Sequence, residues 1–491
     1  METKLYPTAA EKLQLAALAA TRPRRRFARS GDVHYVADVS SQVDFIHGTP
    51  VDAVPRNHLA WKVKESLGLF DFGPIKAKSS PLGRHGLNPE HLLAVWLLGS
   101  LQAVHRASQL EQRIKTDTAY RLLSGGHAIS ATSLRTFRRT NLLFFDQCVN
   151  RMIEIAQERG YLDLSETAVD SVRLEADAAE ASIRTAVRSN KMVKELSAKD
   201  TSAMSPDQRE RHQARLEKHT RAVEHCEEMD VTNYSVTDPL AALMKFPHGG
   251  AKPGHRLTTV VAGAVIRFCI AYFLSSAPTD HGLLSPTLQA LRARLRRVGV
   301  PDTFIVKTAA DAGFCDEDDV GVAHKNELGI DVVLAQQSFS GAGVGDKSLF
   351  GKEHFKIEGE LCICPAGTKM RGPVRDGGKL VKWMGVGCKT CPLHAQCTTS
   401  AARKVKHNPV TAQARADLRQ RMEDPVRKAL YGKRGPIVES MYSVLEDAME
   451  FRRVSSRHPA TTQAEIVLKI LAYNLSRLQV PTAVALRRAW G

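Results

Sequence analysis

Thr167-Ala-Val-Asp-Ser-Val-Arg-Leu174 alternates along its length and is rich in β-branched residues, with one carboxylate, Asp170, near its middle. A period of two predicts a strand. A second run, Phe304-Ile-Val-Lys-Thr-Ala-Ala-Asp311, is also strand-like; it closes on an acid and breaks at Gly313. A third stretch, Ile437-Val-Glu-Ser-Met-Tyr-Ser-Val-Leu445, is amphipathic and opens with Glu439. Two acids at strand positions and a third on a late helix can converge on one point.

Working outward, residues 256–264 and 266–275 read as a β-hairpin, 284–298 as a helix ending at Gly299, 303–307 as a strand, 316–328 as a helix and 330–335 as a strand. Between the Asp170 strand and the hairpin, 178–229 is charge-dense, with no proline from 178 to 205, and predicts a solvated helical hairpin. A helical block from about Thr411 carries Glu439, and a last apolar helix covers 464–478. The fold class is therefore α/β with a mixed sheet.

The N-terminal part is different. Residues 55–159 read as helical throughout. Asn88-Pro89 starts the run His91-Leu-Leu-Ala-Val-Trp-Leu-Leu98, continued by Leu101 and Val104. Leu110, Ile114, Tyr120 and Leu122-Leu123 suit a second helix, ended by Gly125-Gly126. Thr132 or Ser133 would cap a third through Phe137-Arg138-Arg139. Ahead of these lies a cationic cluster, Arg22-Pro-Arg-Arg-Arg-Phe27, which suits either a solvated arm or a phosphate contact.

The chain has 491 residues and a formal net charge of +17. Its pI near 9.5 favours nucleic acid over a membrane as partner. Its longest apolar stretch, 258–275, is interrupted by Arg267 and reads as two strands, not a span. No apolar h-region marks a signal peptide, so the expected location is cytoplasmic and the nine cysteines are expected to be reduced.

In such a basic chain a cluster of hard carboxylates suggests a divalent-metal site acting on a polyanion. Two ions about 4 Å apart can clamp the attacking and leaving oxygens of an in-line phosphoryl transfer. Mg²⁺ (or Mn²⁺) takes only one or two carboxylates plus phosphate oxygens and waters. Asp170 would bridge both ions, Asp311 would hold one and Glu439 the other. Glu175 and Asp177 compete with Asp170 on position, while Asp316, Glu317, Asp318 and Asp319 read as first-turn helix acids.

Several segments resemble the bacterial insertion-sequence DDE transposases. Ala-Val-Asp170-Ser-Val-Arg-Leu resembles the first-Asp strand of that family, Ala310-Asp311-Ala-Gly-Phe314 its second-Asp motif, and Ile437-Val-Glu439-Ser-Met-Tyr442 followed by Phe451-Arg-Arg453 its Glu region. Tyr473-Asn474-Leu475 matches its closing motif, and 110–139 resembles its N-terminal domain. Ser171, Ser440 and Ser443 depart from the usual Gly, Pro and Gly, and Glu446 stands where a basic residue is usual, seven residues beyond Glu439.

The resemblance implies a ribonuclease-H-like catalytic core, Mg²⁺-dependent hydrolysis at element ends, and strand transfer by the freed 3′-hydroxyl into target DNA. It implies DNA as partner, a homodimer on DNA, no membrane, and nucleoid association when bound. The implied organisation is a basic arm and linker over 1–54, a helical DNA-binding domain over 55–160, and the first part of the catalytic core over 161–337 with a helical insert at about 178–230. A Cys-rich insert over 338–410 follows, and 411–491 completes the core with Glu439. Two other readings remain: a catalytically silent DNA-binding protein on the same fold, and a nuclease without strand transfer.

Cys362, Cys364, Cys388, Cys391 and Cys397 crowd into 36 residues, spaced C-x-C and C-x2-C-x5-C. In a reducing compartment this predicts a structural zinc site held by four of the five. Cys148, Cys226, Cys269 and Cys315 look scattered. Arg138, Arg139, Tyr431, Arg434, Arg452 and Arg453 are the candidate DNA contacts. Lys245, His248, Lys252, His255 and Arg256 are further phosphate candidates.

Overall fold

The computed structural model describes residues 35–42, 49–77, 86–228, 231–247, 249–263, 266–335, 349–351, 354–376 and 380–478. The 22–27 arginine cluster and His248 lie outside the described residues. The chain forms two compact units, one of residues 1–278, 290–301 and 435–491, the other of 279–289 and 302–434. Residues 55–160 lie in the first unit together with the Asp170 strand and the C-terminal helix.

In the first unit the helix Pro89–Leu101 begins as its sequence predicts: the Asn88 side chain accepts from the Glu90 amide and Pro89 occupies the first turn. Its residues are apolar all round, and it is buried from His91 through Ser100. The expected second helix is two, Ala107–Thr116 and Thr118–Leu123, because Asp117 leaves helical geometry and accepts from the Ala119 amide as a new cap. Ala131–Thr140 is capped by Ser130, not by Thr132 or Ser133; the Ser130 hydroxyl accepts from the Ser133 amide at 3.1 Å. Leu142–Glu158 follows.

The helix Pro459–Leu478 is buried on nearly every side, against Leu142–Glu158 and Pro89–Leu101 among others. It also touches strand β6, Phe268–Ser275. There the Asn474 side chain accepts from the Cys269 amide and donates to the Cys269 carbonyl, both at 2.9 Å. It satisfies backbone groups as another strand would. The Tyr473 hydroxyl donates to the Arg267 carbonyl at 2.9 Å. The closing motif read from the sequence is thus a clamp between helix and sheet.

The strands of this unit are antiparallel. β1, Thr167–Glu175, pairs along its length with β5, Gly250–Ala262, placing Asp170 opposite Thr259. On its other edge β5 pairs with β6 and with β4, Ala242–Phe246. β4 was not anticipated. The charge-dense stretch forms the predicted helical hairpin, Ala186–Ser197 and Pro206–Glu228. Its neck is a short unpredicted ladder of β2, Ile183–Thr185, and β3, Asn233–Ser235.

In the second unit β7, Val306–Ala310, and β8, Ile330–Leu334, are parallel, with the helix Glu317–Lys325 between them in sequence. β7 starts three residues later than the sequence suggests. The helix Pro409–Arg421 covers Glu317–Lys325 and β8, and His324 pairs with Asp417 at 2.7 Å. The Cys-rich segment contains a hairpin, β9 (Lys356–Glu358) with β10 (Leu361–Ile363). It also contains an antiparallel sheet of β11 (Arg371–Asp376), β12 (Leu380–Met384) and β13 (Lys404–His407). Phe355, Cys362, Met370, Trp383 and Val405 form its core.

Candidate active site

Asp170 is half-buried near the middle of β1, and its carboxylate accepts from the Ser171 amide at 2.7 Å. The Ser171 hydroxyl accepts from the buried Arg256 guanidinium at 2.8 Å; Arg256 also donates to the carbonyls of Ala277 and Pro278 at 3.0 and 2.5 Å. The serine that departs from the usual glycine therefore anchors a buried cation beside the acid. Arg256 is 1 % exposed and His255 is fully buried on Asp238 at 2.9 Å, so neither is available as a surface phosphate contact. Lys252 pairs with Glu175 at 2.5 Å. Lys245 is exposed.

Glu439 does not open a helix. It lies near the end of Pro425–Ser443, with Pro436 inside the helix. Its carboxylate reaches back over Gly435, where a β-carbon would stand 3.1 Å from Oε1. One helical turn beyond Glu439, the Tyr442 hydroxyl donates to the Asp170 carbonyl at 2.6 Å and lies 2.9 Å from the Thr259 hydroxyl. Residues three apart share a helix face. Tyr442 therefore fastens the Glu439 turn to β1 at Asp170 and to its cross-strand partner on β5. Sequence reasoning missed this. The only signal was a phenolic hydroxyl one turn from the acid, a group that needs a partner when buried.

Helical geometry also changes past Ser443. Val444–Ala448 is a π-helical turn, so the seven residues from Glu439 to Glu446 run across a change of helical pitch. Arg452 lies across this turn, 2.6 Å from Asp447 and 3.8 Å from Glu446. Arg453 pairs with Asp177 at 3.0 Å. Both arginines are exposed.

Arg138 is a correction. It is 4 % exposed, 3.4 Å from buried Glu465 and stacked over Trp96 at 4.6 Å. Desolvation of a guanidinium is tolerated only with such a partner, so Arg138 belongs to the interior and not to a DNA surface. Arg139 is exposed. Close by, Lys469 is buried with its ammonium 2.8 Å from His105 Nδ1. Burial pulls the lysine down to about 7, against the pull of Glu465, and pulls His105 down to about 4.

In the second unit Asp311 ends the segment after β7, half-buried, and its carboxylate accepts from the Ala312 amide at 2.7 Å, the same local arrangement as at Asp170. The Arg434 guanidinium is 3.9 Å from Asp311 and 5.9 Å from the Tyr431 ring centre. Asp319 lies in the first turn of the helix Glu317–Lys325 as read; it is fully buried and accepts from the amides of Gly282 and Ser285 at 2.9 and 3.0 Å. Burial pushes it up to about 7. Among the described residues, no three His, Cys, Asp or Glu side chains are drawn together as a metal would hold them. The donor chemistry nonetheless suits a hard cation, since Asp170, Asp311 and Glu439 offer carboxylate oxygens.

Two family models match the chain: a transposase DDE domain over residues 363–479 and a transposase domain (DUF772) over residues 50–140. Both matches support an insertion-sequence DDE transposase. The first match spans Glu439, Tyr442, the Arg452-Arg453 pair and the Tyr473-Asn474 clamp; the second spans the N-terminal helices up to Thr140. No curated protein matches the chain. None of its described helices is long and apolar enough to cross a membrane.

Proposed function

We propose that this transposase hydrolyses a phosphodiester at each end of its element and joins the freed 3′-hydroxyl to target DNA, using Asp170, Asp311 and Glu439 together. The observation that carries the reading is the Tyr442 bond to Asp170, which couples the Glu439 helix to the Asp170 strand. Antiparallel β1, β5 and β6 in one unit and parallel β7 and β8 in the other support a ribonuclease-H-like core. Mg²⁺ or Mn²⁺ held by the three carboxylates would supply the positive charge that the attacking and leaving oxygens need.

The protein's part is to hold the ligands and the DNA. One oxygen of Asp170 and one of Asp311 are fixed by the next amide, which limits the rotation of each carboxylate. Gly435 leaves room for the Glu439 carboxylate. Arg434, Tyr431, Arg139, Arg452 and Arg453 are the proposed backbone contacts, with a homodimer formed on DNA in the nucleoid.

The test is a labelled element-end duplex incubated with Mg²⁺ and a target plasmid. The wild type should release a 3′-hydroxyl end and convert it to a joined product. Asp170→Asn, Asp311→Asn and Glu439→Gln should each abolish cleavage and leave binding in place, since each removes an anionic ligand at nearly constant volume. Any one of them cleaving at the wild-type rate removes that residue from the site. Cleaved ends that are never joined would make the protein a nuclease.

A further inference from the structure

The Cys-rich segment has no role in the reaction above, yet its thiols are arranged around one cavity. Cys364, Cys388, Cys391 and Cys397 line it together with Arg403. Cys362 does not. It is fully buried with Met370, Trp383 and Val405, its sulfur 3.4 Å from that of Met370. On a strand, residues two apart share a face, but the chain turns at Cys364, whose amide donates to Thr368 and whose carbonyl accepts from Gly367 at 3.0 and 2.8 Å.

The second pair sits on a comparable turn. Gly387 adopts a positive φ of 66°, and the Cys391 amide donates to the Cys388 carbonyl at 3.2 Å. A β-carbon on Gly385 would lie 2.3 Å from the Cys388 sulfur, so this glycine makes room for the thiol. Cys397 ends the short helical turn His394–Cys397. Burial raises its thiol, Arg403 opposes this, and Cys388, Cys364 and Cys391 are near enough to add repulsion.

We propose that Cys364, Cys388, Cys391 and Cys397 bind one structural zinc ion and that Cys362 is excluded. Zinc takes four thiolates tetrahedrally at about 2.3 Å. In the structure the four thiols are not drawn together as a metal would hold them; binding requires their side chains to turn toward one point in the cavity, each losing its proton to solvent. The bound group carries two net negative charges. Arg403 is placed to offset them: it donates to the carbonyls of Cys397 and Phe350 at 3.1 and 2.8 Å, while its Nε is buried with no hydrogen-bond partner. His394 is not in the set, because its Nε2 is 3.1 Å from the Ser400 carbonyl.

Full-length protein purified under reducing conditions without chelator should contain one zinc per chain by elemental analysis. Replacing zinc with Co²⁺ should give the visible absorption of a tetrahedral thiolate site. A mercurial titrant should release the zinc in step with four thiols, a readout that needs no variant. Cys362→Ser should keep the metal; Cys364→Ser or Cys391→Ser should lose most of it. Absence of zinc from the wild type, or loss of zinc from a folded Cys362→Ser protein, would overturn the assignment.

Discussion

The Tyr442 hydroxyl donates to the backbone carbonyl of Asp170 at 2.6 Å. The bond joins a helix carrying one candidate ligand to the strand carrying another. Phenylalanine fills the same space without the bond. Tyr442→Phe should cost about 1 kcal/mol of positioning and slow cleavage roughly fivefold. DNA affinity should not change. A single-turnover cleavage assay that finds the full rate would reduce Tyr442 to packing.

Gly435 supplies a test in which stability and activity move in opposite directions. Alanine favours a helix over glycine by about 1 kcal/mol. Its β-carbon, however, would stand 3.1 Å from the Glu439 carboxylate. Gly435→Ala should therefore raise the melting temperature and lower the cleavage rate. A variant both more stable and fully active would show that the carboxylate orientation seen over Gly435 does not matter to the reaction.

Arg138 and Arg139 are neighbours in sequence with opposite expected effects. Arg138→Ala leaves Glu465 buried without its guanidinium and should destabilise the first unit by about 3–5 kcal/mol. The salt dependence of DNA binding should stay as it was. Arg139→Ala and Arg452→Ala should leave stability within about 0.5 kcal/mol. Each should lower the slope of log affinity against log salt by about one unit if it contacts a phosphate. Urea denaturation and binding across a salt series separate the two outcomes.

Lys469 predicts a pH dependence. Its folded value, about 7, lies below the ordinary lysine value of 10.5 because burial penalises the ammonium, and His105, Glu465 and Arg138 all face it. Between these values the unfolded chain binds more protons, so this group's contribution to stability rises with pH from about 7 to 10.5 and is lost as pH falls through that window. Lys469→Met should flatten the rise in urea midpoint between pH 7 and pH 9.5. An unchanged slope would place the lysine's titration elsewhere.

β1, β5 and β6 were legible because alternation and β-branching are local signals, and the Asn88-Pro89 start was legible because caps are read from adjacent residues. The acids could be picked from motifs. What holds them could not. The partners of Tyr442 and Arg138 lie far away in the chain, and no window over the sequence joins Arg138 to Glu465. Asp319 was placed in a first helical turn, but its spacing is the same whether it faces water or the start of another helix, so its burial was not legible. The π-helical turn over Val444–Ala448 was not legible, because one change of pitch leaves no mark in the hydrophobic spacing.

β1 and β5 are direct neighbours in the sheet, yet the whole 186–228 hairpin lies between them in sequence. The excursion leaves and returns through three paired residues on each side, Ile183–Thr185 and Asn233–Ser235. The sheet thus meets a closed neck, and what hangs beyond it is an interchangeable cassette. Sequence can be gained, lost or exchanged past that neck without altering the register that sets Asp170 opposite Thr259.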